Sequence, residues 1–166
     1  MVIRLDKYLC DMQAGTRSAV KDIIRKKKVT INGEVITRPE TKVDTDKDVV
    51  TVDNNVLGYS EYEYYMLNKP AGVVSAVSDK NFKTVVELIT DKKRKDLFPV
   101  GRLDKDTEGL LIITNNGDMA HRLLSPKHHI DKTYYVVAKG SIDNKYIDEF
   151  KNGLVVDKDF TAMPAK

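Results

Sequence analysis

Gly101-Arg102-Leu103-Asp104-Lys105-Asp106-Thr107-Glu108-Gly109-Leu110-Leu111-Ile112-Ile113-Thr114-Asn115-Asn116-Gly117-Asp118 changes character half-way along. Up to Gly109 it is polar or glycine apart from Leu103, and Arg102, Lys105, Asp106 and Glu108 crowd around Asp104. Leu110 to Thr114 is an apolar, β-type run, and Asn116-Gly117 is a turn signal. A charged loop that runs straight into a buried strand is how a sheet holds a reactive side chain at its edge. Arg102 and Asp104 lie two apart, so in extended backbone they point to one side, and the cation keeps the carboxylate ionised and aimed. The plainer reading is an acidic turn with a satisfied Arg–Asp pair.

On the N-terminal side, Tyr64 to Asn68 reads as an apolar strand. It stops at Lys69-Pro70, and a second strand begins at Val73. Thr84 to Ile89 fits a short amphipathic helix with a threonine cap, and Lys92-Lys93-Arg94-Lys95 is a basic run, either a solvated helix end or an RNA contact. On the C-terminal side, Asp118 is placed to cap a helix carrying Met119, Leu123 and Leu124, closed by Ser125-Pro126. His128 and His129 fall in the loop that follows. Lys132 to Ala138 alternates like a strand, with Lys132 and Tyr134 on one face. Ser141 to Lys151 reads as a helix with Ile142, Tyr146, Ile147 and Phe150 inward and Gly153 at its end; Leu154 to Asp157 starts another strand.

The beginning of the chain has a different texture. Leu5, Tyr8, Leu9 and Met12 recur at helical spacing, Gly15 interrupts, and Thr16 can cap a second helix that buries Val20, Ile23 and Ile24. Val29-Thr30-Ile31 and Glu34-Val35-Ile36 flank Asn32-Gly33 as a hairpin, and Asp48 to Val52 adds a strand. Arg17, Lys21, Arg25, Lys26, Lys27 and Lys28 face only Asp22 among acids, a basic stripe of the kind that binds phosphate. Asp53 to Glu63 is polar and reads as a linker that leaves the first module partly mobile.

Two resemblances sit on these residues. GRLDKDTEGLLIITNNGD resembles the catalytic-aspartate motif of the RsuA/RluB-type pseudouridine synthases, which act on ribosomal RNA, and Asn68-Lys69-Pro70-Ala71-Gly72 and Lys132-Thr133-Tyr134 resemble further elements of that family. RLDKYL, Gly15-Thr16-Arg17-Ser18 and VTINGEVI resemble the S4 RNA-binding domain, an α-L motif. The fold this implies is α+β. A small S4 domain (1–55) and a linker (56–63) precede a mixed, mainly antiparallel-sheet catalytic domain (64–166), which in the family continues further with strands and a basic residue facing the aspartate. The chain is therefore expected to be C-terminally truncated, with an incomplete catalytic domain. The resemblance makes Asp104 the catalytic carboxylate at the sugar–base junction, Tyr134 the ring on the flipped-out base and Arg102 its orienting partner. Arg4, Lys7, Arg17, Lys21, Lys28 and Lys69 become RNA contacts. Where the family has glycine at the end of the second helix, this chain has Lys27, expected to cost ~1 kcal/mol in a left-handed cap or to change the cap.

The reaction implied is the isomerisation of a uridine, with 16S ribosomal RNA favoured over 23S. It demands no cofactor and no metal, and the partner is ribosomal RNA or an assembly intermediate, met by a monomer. The rival reading is a non-catalytic S4-type RNA binder or an inactive fragment, which has no need of Asp104. Composition agrees with a globular class: 166 residues, 41% apolar and 32% charged, net charge +3. No run approaches the ~18 apolar residues of a membrane span. The N-terminus has no apolar signal region, and Cys10, the one cysteine, reads as a core filler in a reducing, cytoplasmic setting. The three histidines and Cys10 show no zinc-like spacing.

Overall fold

A computed structural model of the chain describes residues 1–128, 130–141 and 143–165. It divides into two compact units, Met1–Ile130 and Asp131–Lys166.

The first unit holds two hydrophobic cores. In the N-terminal one, helix α1 (Leu5–Asp11) and helix α2 (Arg17–Arg25) follow strand β1 (Val2–Arg4). Leu5, Tyr8, Leu9, Val20 and Ile24 are buried together with Val29, Val43 and Val50. Fully burying each such aliphatic side chain is worth ~1.5–3 kcal/mol, and this is what holds so small a module closed. Cys10 is buried here, as a core filler should be. Thr16 caps α2 by accepting from the Ala19 N–H. At the other end Lys27 takes φ +61°, while Lys27 N–H donates to Ile24 O and Lys28 N–H to Ile23 O. This is a left-handed cap in which lysine occupies the site glycine would take without strain.

Strands β2 (Val29–Ile31) and β3 (Glu34–Val35) form the expected hairpin over Asn32-Gly33, both with positive φ. Strand β4 (Lys42–Asp44) pairs with β1, and β5 (Val50–Val52) pairs with β2. Asp53 and Asn54 do not begin a linker. They form a second tight turn, both with positive φ, into β6 (Asn55–Val56) beside β5. Leu57 and Tyr59 pack on the N-terminal core, so most of the expected linker belongs to this module.

The second core lies under a three-stranded antiparallel sheet ordered β7 (Tyr64–Lys69), β9 (Gly109–Thr114), β8 (Phe98–Val100). The decisive stretch thus supplies the central strand. Leu111 and Ile113 are buried with Val73, Val85, Val86 and Leu97. The charged loop 101–108 connects β8 to β9 at the sheet end where Lys69 pairs with Gly109.

Several elements differ from the sequence reading. Thr84 and Glu87 form a reciprocal cap, Thr84 N–H to the carboxylate and Glu87 N–H to the hydroxyl, but only one 3-10 turn (Val86–Leu88) follows before Ile89 turns extended. The stretch after Val73 makes a single bridge, Val74 with Thr84, rather than a strand. Helix α3 (Gly117–Leu124) is capped by Asn116, which accepts from Met119 N–H, and Asp118 sits in its first turn instead.

In the second unit, helix α4 (Lys145–Asn152) ends at Gly153, whose φ of +96° suits glycine alone. Tyr146, Ile147 and Phe150 are exposed rather than inward, and Ile142 lies outside the described residues. Residues 131–139 form no strand, and Tyr135 is 94% exposed. Alternation alone does not make a strand, which also needs a neighbouring edge to run beside. Among the described residues Val155 makes one isolated bridge, with Thr161.

Candidate active site and RNA-facing surface

The loop 101–108 is held from beneath by the end of β7. Lys69 has 0% exposure, and its stem passes through the core face of the sheet. Its ammonium donates to the carbonyls of Asp104 (2.8 Å), Lys105 (3.1 Å), Thr107 (2.8 Å) and Pro70 (3.2 Å). A buried ammonium is tolerated only when its donors are filled in this way. Lys69 is therefore not an exposed RNA contact, as the sequence reading expected; it is the internal tie of the loop.

Ser75 supplies a second tie, its hydroxyl donating to Leu103 O (2.8 Å) and accepting from Leu103 N–H (3.1 Å). Gly72 N–H donates to Lys105 O (2.8 Å), and Thr107 N–H closes a turn back onto Asp104 O (3.1 Å). Gly101 has φ +85°, and a Cβ there would meet Leu124 of α3 at 3.3 Å, so the entry to the loop requires glycine.

The result is an exposed carboxylate on a fixed backbone. The Asp104 side chain faces solvent and has no hydrogen bond or ion pair among the described residues. Arg102 is exposed too and makes no ion pair with it. The extended two-residue spacing that would align them ends where the chain turns at Asp104. Lys105 places its ammonium 3.8 Å from the Phe82 ring centroid, a cation–π contact at the rim of the loop. Tyr134 lies in the second unit and is 59% exposed. His128 is exposed in a 3-10 turn, and His129 lies outside the described residues.

The basic stripe resolves into two parts. Arg4, Lys7, Arg17 and Lys21 line one open depression with Asp6 and Cys10, so the end of β1 with α1 and α2 brings four predicted contacts together. Arg4 forks onto Asp6 (3.0 and 2.7 Å) and holds that carboxyl below the usual carboxylate range. Lys28 does not line the depression; it pairs with Asp53 at 3.0 Å across the β2–β5 edge. The run Lys92–Lys95 is partly structural. Lys92 donates to Val86 O and Ile89 O, and Arg94 is buried.

Sequence reasoning missed the roles of Lys69, Ser75 and Arg94. The one available signal was Lys69 at an inward strand position, in register with Tyr65 and Leu67. A lysine on the buried face of a strand must have its charge answered internally.

Comparison with known proteins gives a coherent picture. A family model described as RNA pseudouridylate synthase matches residues 63–163, and one described as S4 domain matches residues 3–50. An uncharacterized RNA pseudouridine synthase of Bacillus subtilis is 43% identical over 99% of this chain and 69% of its own length. The ribosomal large subunit pseudouridine synthase B of Bacillus subtilis is 36% identical over 98% of this chain and 66% of its own. The ribosomal small subunit pseudouridine synthase A of Haemophilus influenzae is 32% identical over 93% and 66%. A crystal structure of a pseudouridylate synthase superposes with TM-score 0.58 at 32% identity, over 99% of this chain and 71% of that one. The chain spans about two thirds of the length of these relatives.

Proposed function

Because the chain belongs to the RNA pseudouridylate synthase family, with an S4 domain ahead of the synthase domain, we propose that it converts a uridine of ribosomal RNA to pseudouridine. The observation that carries this reading is the exposed Asp104 carboxylate, unpaired among the described residues, on a loop whose backbone is tied by Lys69 and Ser75. A module that only binds RNA gains nothing from an exposed carboxylate beside a polyanion. A carboxylate held rigidly at a sheet edge is what a reaction at a sugar carbon requires.

The chemistry is an isomerisation. The N1–C1′ bond breaks, the base turns, a C5–C1′ bond forms, the C5 proton leaves and N1 gains a proton. No group is lost from the RNA and nothing is oxidised. Asp104 acts at the sugar–base junction as nucleophile or base, and the tied loop fixes its distance from C1′. Tyr134 is the ring proposed to stack on the extruded base; stacking of ~1–3 kcal/mol per base offsets the few kcal/mol of flipping. Arg102, which makes no ion pair with Asp104 among the described residues, is proposed to hold the flipped-out nucleotide through a phosphate contact. The depression of Arg4, Lys7, Arg17 and Lys21 engages RNA phosphates and sets register rather than sequence. The setting is the cytoplasm, where ribosomal RNA is assembled.

Relatives named for the large and for the small ribosomal subunit are both similar to the chain, and the target proposed here, on the motif through Phe98–Asp104, is the 16S RNA. Mapping pseudouridines by carbodiimide adducts and reverse-transcription stops, in cells with and without the gene, tests this. The reading expects one stop to disappear with the gene, in 16S RNA. A stop lost only from 23S RNA corrects the subunit, and no lost stop refutes the proposal.

A further inference from the structure

Arg94 is the one arginine of the first unit that is buried, at 6% exposure, and it touches both modules of that unit. Its fork donates to Asp96 at 3.0 and 2.7 Å, just ahead of β8 in the sheet module. On its other side Nη1 lies 3.4 Å from Asp11 at the end of α1 and 3.4 Å from Ser60 O. The guanidinium stands 5.9 Å from the Tyr59 ring centroid, and Tyr59 in turn donates to Asp11 at 3.1 Å and packs against Tyr8. A second bond repeats the connection: Gln13, just beyond α1, donates from its side chain to Lys92 O at 3.0 Å.

We infer that Arg94 is a positioning residue that locks the N-terminal RNA-binding module to the sheet module, so that the basic depression and Asp104 meet one RNA in one fixed geometry. The role of that geometry rests on the proposed function; the lock itself does not. A guanidinium suits this task, because its planar fork satisfies Asp96 while leaving Nη1 for Asp11 and Ser60. Both partners are partly desolvated, so the pair is worth more than a surface ion pair and more costly to leave half-made. The lock also makes the binding surface ready-made rather than assembled at each encounter.

The test uses the full chain with spin labels at Glu34→Cys in β3 and Asp118→Cys in α3, read by electron–electron double resonance. The parent should give one narrow distance, and Arg94→Gln a broad distribution. If the orientation competent for RNA falls to about a tenth of molecules, KM and Kd for a structured ribosomal RNA fragment rise about tenfold. Saturating RNA restores that orientation, so kcat changes by less than about twofold. Arg94→Lys, which keeps the charge toward Asp11 but not the fork, should recover part of both. If Arg94→Gln does not fold, Asp11→Asn cuts the same lock from the other module. A narrow distribution in both Arg94→Gln and Asp11→Asn, or a loss confined to kcat, overturns the inference. If the parent itself modifies no RNA, the synthase reading fails, and the distances and filter-binding Kd still decide the lock.

Discussion

Replacing Lys69 with methionine removes the ammonium while leaving an unbranched apolar side chain of similar length in the core. Four carbonyls lose a donor. Two of them keep another: Lys105 O still accepts from Gly72 N–H, and Asp104 O from Thr107 N–H. Pro70 O and Thr107 O keep none among the protein's described hydrogen bonds. Hydrogen bonds to a charged group contribute ~1.5–3 kcal/mol each, and water recovers part of that at a loop so close to the surface. Charging the change with the two orphaned acceptors, discounted for hydration, gives a net loss of about 2–3 kcal/mol. For a chain of this size that is a fall in Tm of about 4–12 °C, by thermal unfolding. Turnover should suffer more. Asp104 keeps its carboxylate but loses the tie on its own carbonyl, and a displacement of ~1 Å at a reacting group costs about 100-fold. The assay is tritium release from RNA carrying 5-tritiated uridine, beside a Kd for the same RNA. Lys69→Met should lower kcat at least that much while the Kd stays near the parent's. Parental Tm and parental kcat together would show that the loop stands without its tie, and would refute the reasoning.

Lys27→Gly relieves the left-handed cap of α2 and should stabilise by ~0.5–1 kcal/mol, read as a higher urea midpoint at constant m. Ser75→Ala removes both bonds to Leu103 and should cost ~1–2 kcal/mol with a drop in kcat, again without loss of RNA affinity. The carboxyls of Asp6, Asp48 and Asp96 are held below their ordinary value of 3.8, by Arg4, by the Asp44 N–H and by Arg94 respectively. A carboxyl with a depressed folded-state pKa adds stability above its unfolded value and loses it as pH falls through the folded one. The urea midpoint should therefore fall as the pH drops below about 4, and Asp96→Asn should flatten part of that slope.

Much of this fold was legible because its local signals are chemically narrow. Asn32-Gly33 fixes a hairpin, Thr16 a helix start and Gly153 a helix end, and each does so with the residue the backbone needs. The central strand was legible because five consecutive β-type residues leave little else. What stayed hidden depends on partners distant in sequence. β1 exists only because β4 runs beside it some forty residues on, and the Asp53-Asn54 turn, which looks like a polar linker, is defined by β5 and β6 on either side. Lys132 to Ala138 alternates correctly and still forms no strand, because alternation describes a surface and not the edge it must join. At the site, the importance of Asp104 came from its motif, while the tie beneath it comes from a sheet register that brings Lys69 beside Gly109. Arg94 looked like one of four surface cations, and only the fold shows that Asp11 and Asp96 close around it.

The measurement that bears most directly on the central claim is tritium release from 5-tritiated ribosomal RNA by the parent chain and by Asp104→Asn, with filter binding of the same RNA in parallel. The account predicts release by the parent, none by Asp104→Asn, and equal affinity for both. Undiminished release by Asp104→Asn, or no release by the parent from either 16S or 23S RNA, would contradict it.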